Sequence, residues 1–549
     1  MKYSVLSLLI LSFASLLSGQ SEASSLRVYR IFQEKCVNCH SNDNPSAGLD
    51  LEGSGSNMED KALKVYENLV DTRPQNVMAK AKGYSLIKPG RVDKSFLFKK
   101  INNGLDANMS LEEGEQLPMP MSGSLSNVEK ELIRQWILFG APLEKEVIKE
   151  SLLVDYYEKG MGRSSFPEGA PDAPHPTEGF QIKMGPFFID PAGEDEYYTK
   201  FQLDNESEIE INRIVIKMSN FSHHFIIYDY SSEAAEVPEG FRRDQEHTSD
   251  VSFVTTVQES QDIALPEGTA FLWGKSHVLD LNSHTINYTA DFIYQNEVYV
   301  NIYTQPSGTA KQKMEATLVP YLWINIPNNG NEIVHSASVQ YPAQAYIWNI
   351  GGHTHQYGTS YKIWKNDSAG NPADLIYDAS CPRGIPGCIA PFYDYQHIPN
   401  RTFDEFLHID FSHGVTHEAK WINNGPEPVF WGPTSNDEMM LFGMLYVSDT
   451  TGLNIGQLST SIEEVENPLR KVQIFPNPMK DFIQIHIPAN IGPVNIRMHD
   501  LPGRELVNIQ KKQTGLIQIG RGDFPAGMYF LTIEDQDQHS FTTKILMED

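Results

Sequence analysis

Four stretches of the chain decide its fold: RIVIKM (213–218), HFIIYDY (224–230), EVYVNIYTQ (297–305) and AYIWNI (345–350). Each is rich in β-branched and aromatic residues and is bounded by polar, Gly or Pro turn signals, which is typical of β-strands. Strands of this kind recur from about residue 180 onward. The pattern predicts two jelly-roll-like β-sandwich domains, over residues 175–315 and 316–452.

Histidines on or beside these strands are the main chemical signal. His353 and His355 are two residues apart, so on a strand both side chains face the same side and can hold one ion. His223 and His224 are adjacent and can share a metal only if their strand is bulged or ends there. His284 supplies a further imidazole. These five histidines, together with Met439, predict two metal sites. The metal is expected to be copper, because Met439 supplies a thioether, a soft ligand that selects copper.

The order of these motifs resembles the copper type II, ascorbate-dependent monooxygenases, the peptidylglycine and dopamine hydroxylase family. The matching runs are MSNFSHHFIIYDY, HVLDLNSHTINY, GGHTHQYGTSYKIW and GPTSNDEMMLFGMLYVSD, within residues 175–450. The resemblance implies hydroxylation of a substrate C–H bond with O2, using an external electron donor. It assigns an electron-transferring copper to His223, His224 and His284, and an oxygen-binding copper to His353, His355 and Met439. His277 and Met440 are the rival ligands, and His397, His408, His413 and His417 are expected to be structural or surface residues.

Three positions depart from the family. Its peptide-hydroxylating members hold the substrate carboxylate with an arginine, an asparagine and a tyrosine, where this chain has Gly351, Leu441 and Gly443. None of these three side chains can bind a carboxylate. The reaction type is therefore expected to carry over without the peptidylglycine substrate, and the organic or polymer substrate stays open.

A second motif lies near the N-terminus. Cys36, Cys39 and His40 form CVNCH, the C-x-x-C-H of covalent c-type haem attachment, with His40 as one axial ligand. The runs KPGRVDKSFLFKKINNG (88–104) and LPMPMSGSLSNVEKELIRQWILFGAP (117–142) resemble small cytochrome c-like domains. This resemblance implies an all-α haem domain over 24–145, with Met119 as the second axial ligand and Met121 as its alternative. One helix is expected to lead into Cys36 and another to span Asn127–Phe139. A structural thiol pair is the other interpretation.

The termini predict export. Residues 1–23 have the lysine, apolar run and small residues of a signal peptide. No other apolar run approaches the length of a membrane span. Cys381 and Cys388 are expected to form a short-loop disulfide, which an oxidising compartment permits. Linkers are expected at 146–174 and 453–466.

The last segment, 467–549, resembles the small β-sandwich sorting domain of the type IX secretion system. The resemblance rests on Pro476-Asn477-Pro478, Gly503-Arg504, Gly527-Met528-Tyr529 and Lys544. It implies that the type IX secretion machinery is a partner. A β-sandwich with a binding role is the alternative.

Charge excludes some partners. The net charge of −28, with no basic cluster, argues against nucleic acid and anionic membranes. Taken together, the motifs predict a secreted or cell-surface copper monooxygenase with two copper ions, whose fused haem delivers single electrons. The alternatives are a surface electron-transfer or copper-binding protein without oxygen insertion, and a β-sandwich that binds carbohydrate or protein.

Overall fold

A computed structural model describes residues 22–219, 221–230, 237–243, 251–341, 343–380, 393, 395, 398–432, 436–455, 469, 472–475, 479–488, 491–500, 504–512, 515–522, 524–536 and 540–547. The chain divides into two compact units, Met1–Val154 and Asp155–Asp549. The division falls inside the segment that the sequence predicts as a linker.

The first unit is built from helices. They are α1 (Ser24–Lys35), α2 (Met58–Leu69), α3 (Val77–Ala81), α4 (Phe96–Ile101) and α5 (Asn127–Leu138), with 3₁₀ turns at Ser46–Gly48 and Val92–Lys94. Helices α1 and α5 are the two that the sequence predicts, and they pack against each other. Ser126 and Glu129 form a capping box that starts α5. The haem-binding character of this unit stays a prediction.

The predicted linker 146–174 is not free of regular structure. Helix α6 (Glu150–Tyr157) crosses the division between the units, and strand β1 (Gly162–Ser164) pairs in parallel with β10 (Ile293–Gln305). The first sandwich therefore begins near Gly162, earlier than the sequence predicts. Pro167 and Pro171, which suggested a linker, follow β1.

Among the described residues, the first sandwich has eleven strands in two sheets. Besides β1 and β10 they are β2 (Gly179–Ile189), β3 (Glu194–Gln202), β4 (Ile209–Lys217), β5 (Ser222–Tyr230), β6 (Val251–Val257), β7 (Gln261–Ala264), β8 (Thr269–Trp273), β9 (Val278–Ile286) and β11 (Gln312–Lys313). One sheet has the order β1-β10-β4-β8-β11, with β2 on β10 and β7 on β4; the other is β3-β9-β5-β6. Three of the four stretches that decide the fold form β4, β5 and β10.

The second sandwich begins at β12 (Glu315–Pro320), one residue from the predicted boundary. Its other strands are β13 (Asn325–Ile326), β14 (Glu332–Val339), β15 (Gln344–His353), β16 (Gly358–Asn366), β17 (Pro372–Asp378), β18 (Arg401–Asp410), β19 (Val415–Ile422), β20 (Val429–Phe430) and β21 (Leu441–Val447). The sheets are β12-β21-β15-β18 and β14-β19-β16-β17, with a β13-β20 ribbon. Their inner faces enclose a core that includes Tyr361, Trp421 and Phe442.

A third, smaller sandwich ends the chain. It consists of β22 (Gln473–Phe475), β23 (Phe482–Ile487), β24 (Val494–Asp500), β25 (Glu505–Lys512), β26 (Gly515–Gly520), β27 (Gly527–Glu534) and β28 (Ser540–Met547). Its sheets are β22-β23-β26 and β25-β24-β27-β28. Within the described ranges, no helix has the length and apolar character needed to cross a bilayer.

Candidate metal centres

Three imidazoles meet on the β3-β9-β5-β6 sheet of the first sandwich. His223 and His224 come from β5 and His284 from β9, and one ring nitrogen of each lies within 4.8 Å of the others. The ring centroids are 4.9–5.4 Å apart. The rival residue, His277, stacks on Trp273 instead. The structure thus brings His284, rather than His277, to the His-His pair.

A β-bulge makes this cluster possible. Ser222 pairs with Thr285 and His224 pairs with His284, so His223 is one extra residue in β5. At a bulge two neighbouring residues oppose one residue of the partner strand, which re-aims a side chain. This is the irregularity that the sequence requires if His223 and His224 are to share an ion.

Residues of β3 and β9 hold the outer nitrogens of two imidazoles. His224 Nε2 lies 3.1 Å from Asn282 Oδ1 and 3.3 Å from Glu196 Oε1. His284 Nε2 lies 2.6 Å from Glu194 Oε1. Partners of this kind fix the ring orientation and leave the other nitrogen, Nδ1, to bind a metal. Sequence reasoning missed these partners. Glu194 and Glu196 are two residues apart on one strand, so their side chains face the same side of the sheet, and this spacing could have indicated them.

The charge state of the cluster suits metal binding. Burial, together with the charges of His224 and His284, holds the pKa of His223 far below its usual range. Neutral imidazole is the form that binds metals. Burial by itself would raise the pKa of Glu196. The hydrogen bond between Glu196 and His224 and the charges of His224 and His284 have the larger effect, and together they lower this pKa to about 2. The cluster therefore contains a neutral His223 and an anionic outer partner, Glu196.

The donor set fits a copper ion. Two imidazole nitrogens at about 2.0–2.1 Å from one ion can be at most about 4.2 Å apart. The three nitrogens lie within 4.8 Å of one another, which is slightly more than this maximum. Small side-chain rotations would bring the nitrogens close enough to share one ion. Imidazole also suits zinc, iron and nickel, so this cluster alone does not choose the metal.

The second candidate centre lies at the end of β15. In this strand Ala345 and Ile347 face the core, and a bulge at Trp348 shifts the alternation so that Ile350 faces the core next. If the same residues formed a regular strand without a bulge, positions 353 and 355 would point into the sandwich. With it, both histidines lie on the opposite face, with ring centroids 5.1 Å apart.

Strand pairing and a shared carboxylate place Met439 near this pair. His353 pairs with Leu441 of β21, two residues after Met439, and the Glu438 carboxylate accepts hydrogen bonds from the backbone N–H groups of both His355 and Met439. The rival, Met440, is fully buried in the hydrophobic core, whereas Met439 is half-buried. The structure therefore favours Met439 as the thioether that is free to bind an ion.

Glu438 ties these two segments together. Its fully buried carboxylate accepts hydrogen bonds from the backbone N–H groups of His355, Tyr357 and Met439 and from Trp421 Nε1, at 2.7–3.2 Å. Burial raises the pKa of Glu438 to about 7, against the effect of these four donors. His355 Nδ1 also lies 3.0 Å from the Asp437 carbonyl, which leaves Nε2 for a metal. Sequence reasoning assigned no role to Glu438.

We expect Glu438→Ala to lower the free energy of unfolding by about 3 kcal/mol or more, because it leaves several buried donors without acceptors. Copper binding at His355 and Met439 should weaken with it. The measurements are denaturant unfolding and metal titration. Glu438→Gln, which can keep an oxygen at the position that three donors share, should cost clearly less; equal losses in both variants would contradict this role.

The two candidate centres are close enough to influence each other. The charges of His353 and His355 help to lower the pKa of His223, and those of His224 and His284 help to lower that of His353. Edge strands β6 and β12 pack together where the sandwiches meet. The two sets of histidines therefore lie on neighbouring faces of the two sandwiches.

The haem motif lies directly after α1. Cys36 is the C-cap of the helix and Cys39 is exposed, and both are free thiols. His40 Nδ1 lies 3.3 Å from the Leu49 carbonyl, which leaves its Nε2 available to a metal. Met119 is half-buried, and its backbone N–H donates to the Lys100 carbonyl. Met121 is 72% exposed, so Met119 is the better placed of the two methionines.

Several predictions concern residues that the structure does not describe. The expected Cys381–Cys388 disulfide, most of the signal peptide, Pro476-Asn477-Pro478, Gly503 and His397 lie outside the described residues. The other three minor histidines are placed. His417 is buried and lies 2.7 Å from Tyr361 Oη, and His408 lies 3.1 Å from Gln344 Oε1. His413 is half-buried.

Comparison with known proteins identifies one part of the chain. Residues 473–548 match the secretion system C-terminal sorting domain, as the sequence predicted. No curated protein matches the chain. The protein is therefore exported by the type IX system to the cell surface or beyond it.

Solved structures give only distant similarity. A DUF3244 family protein with an immunoglobulin-like β-sandwich fold from Bacteroides vulgatus is 21% identical over 14% of this chain and 83% of that chain, with a TM-score of 0.13. The STIV MCP is 11% identical over 49% of this chain and 95% of that chain, with a TM-score of 0.23.

Proposed function

We propose that this protein is a copper-dependent monooxygenase that acts outside the cell and hydroxylates a C–H bond of an organic substrate with O2. The observation that carries the proposal is the bulged His223-His224 pair, whose ring nitrogens and that of His284 lie within 4.8 Å of one another. The second set of donors, on the neighbouring sandwich, supports it. Bound copper would supply one-electron redox chemistry and a site for O2.

The proposed copper ligands form two separate centres. His223, His224 and His284 would hold one ion, with Glu194, Glu196 and Asn282 fixing the rings. His353, His355 and Met439 would hold the other, with Glu438 fixing the loop that joins them. The thioether favours copper(I) at the second centre, which is the state that reacts with O2 in the resembled family.

The N-terminal motif adds an electron carrier to the proposal. Cys36 and Cys39 would hold a c-type haem covalently, with His40 and Met119 as axial ligands. Such a haem would supply electrons one at a time, which matches the needs of copper. An electron-transfer or copper-binding protein without oxygen insertion would use the same residues, and the following experiment separates the two.

The test is the rate at which O2 reoxidises the reduced haem of the mature protein, with copper and after stripping by a chelator. We expect reoxidation to be faster when copper is bound. Copper that exchanges electrons with the haem without accelerating reoxidation would favour the electron-transfer function. Protein that binds no stoichiometric copper would contradict both.

A further inference from the structure

The face that carries His353, His355 and Met439 has a distinctive composition. Along β21 and the residues before it, alternate side chains enter the core of the second sandwich: Met440, Phe442 and Met444. The residues between them therefore lie on the opposite face of the sheet, because successive side chains of a strand alternate. These residues are Met439, Leu441 and Gly443.

The register extends this face across three strands. Gly443 pairs with Gly351 of β15 and Leu318 of β12, and the next row contains His353, Leu441 and Pro320. The backbone N–H of Tyr321 donates to the Met440 carbonyl, which continues the β12–β21 pairing beyond Pro320. Leu322 then follows Leu318 and Pro320 on the same face of the sheet, because side chains alternate along the chain.

Apart from the imidazoles, the residues of these rows on β12, β21 and β15 have no polar side chain, and the Asn400 amide lies beside them, against Gly351. A Cβ at Gly351 would collide with the amide of Asn400, and one at Gly443 would lie 3.1 Å from Leu318 Cδ2 and 3.5 Å from Phe253 Cε1. Larger side chains at these two glycine positions would therefore require Asn400 and Leu318 to move. Phe253, from the edge strand β6 of the first sandwich, adds a further apolar group.

This composition selects a class of ligand. Neither these rows nor Asn400 supplies a cationic group, so a carboxylate brought onto them would lose water without gaining a charged partner, which is unfavourable. An apolar group would gain from burial against leucine, proline and methionine side chains. Leu322 is 51% exposed and Pro320 is also exposed, so apolar surface remains open beside Met439.

We infer that the substrate presents an uncharged hydrocarbon group, aliphatic or aromatic, to the centre formed by His353, His355 and Met439, and that Leu322, Pro320 and Leu441 bind it. The inference rests on the proposed function. In the reaction, the C–H bond and one O2 are converted to a C–OH group and water. Two protons and two electrons are consumed, the electrons coming from a one-electron donor of the ascorbate or haem class.

The test compares two probes of similar size, ethylbenzene and 3-phenylpropanoate, by isothermal titration of the mature full-length protein with and without copper. Ethylbenzene should bind at least tenfold more tightly. Leu322→Asp should weaken ethylbenzene binding at least tenfold. Leu375→Asp, at a similarly exposed leucine of β17 in the other sheet, should leave it unchanged.

Three results would overturn the inference: no ethylbenzene binding up to its solubility, tighter binding of 3-phenylpropanoate, or equal effects of the two aspartate variants. Because binding is also measured without copper, these results are independent of the metal. Copper content and the reoxidation rate, measured on the same samples, show separately whether the proposed function fails.

Discussion

Replacing His284 by alanine removes one of the two copper ions expected in the mature protein and lowers affinity at that centre by more than about 100-fold. Loss of an outer partner of a ligand costs about 10–100-fold, and loss of the ligand itself should exceed this. His284 faces His224 across β5 and β9, and no other imidazole joins the cluster among the residues that the structure describes. Metal analysis after dialysis against a weak chelator measures the loss.

His277→Ala is the matched control, because it removes an imidazole from the start of the same strand region. His277 stacks on Trp273 and lies 3.4 Å from Asp229 Oδ2, away from the cluster. This variant should keep both ions. If His277→Ala loses copper and His284→Ala does not, the assignment of ligands in the first sandwich is wrong.

The second large effect is expected from Met439→Ala. Removing the thioether should slow copper-dependent reoxidation by O2 by about 100-fold or more, since copper(I) loses its soft ligand. Stability should change little, because Met439 is half-buried at the end of a strand and lies outside the core. Stopped-flow reoxidation and thermal unfolding of the same sample measure the two quantities.

Met440→Ala should behave in the opposite way. Its side chain is fully buried among the core residues of the second sandwich, so truncation should cost about 2–5 kcal/mol of stability. Copper-dependent reoxidation should persist at temperatures where the variant is folded. Normal reoxidation in Met439→Ala combined with slow reoxidation in folded Met440→Ala would reverse the assignment.

The sequence predicted the sandwich regions well because strand patterning is a local signal. The stretches RIVIKM, HFIIYDY, EVYVNIYTQ and AYIWNI all lie in strands, and the C-terminal sorting domain is confirmed by its family match. Sequence reasoning missed α6 and β1, which lie inside the predicted linker. Pairing of β1 with β10 joins residues far apart in sequence, and no local pattern reports such a contact.

The candidate centres could be predicted only as lists of ligands. The requirement for a bulge at His223 followed from the sequence, but the bulge at Trp348 did not, because it depends on how β15 pairs with β21. The roles of Glu194, Glu196 and Glu438 were missed for a similar reason. Each contacts a histidine segment that is distant along the chain. The copper and haem assignments remain predictions.

The bulge in β5 also has a genetic meaning. It is a single extra residue, His223, which is itself one of the three clustered imidazoles. Deletion of that codon would return the strand to regular alternation and remove one candidate ligand, while the residues on either side kept their facing and the sandwich kept its hydrophobic core. Gain or loss of the three-histidine cluster is therefore one short insertion or deletion away from an ordinary secreted β-sandwich, so lineages can acquire or discard it without having to evolve a new fold.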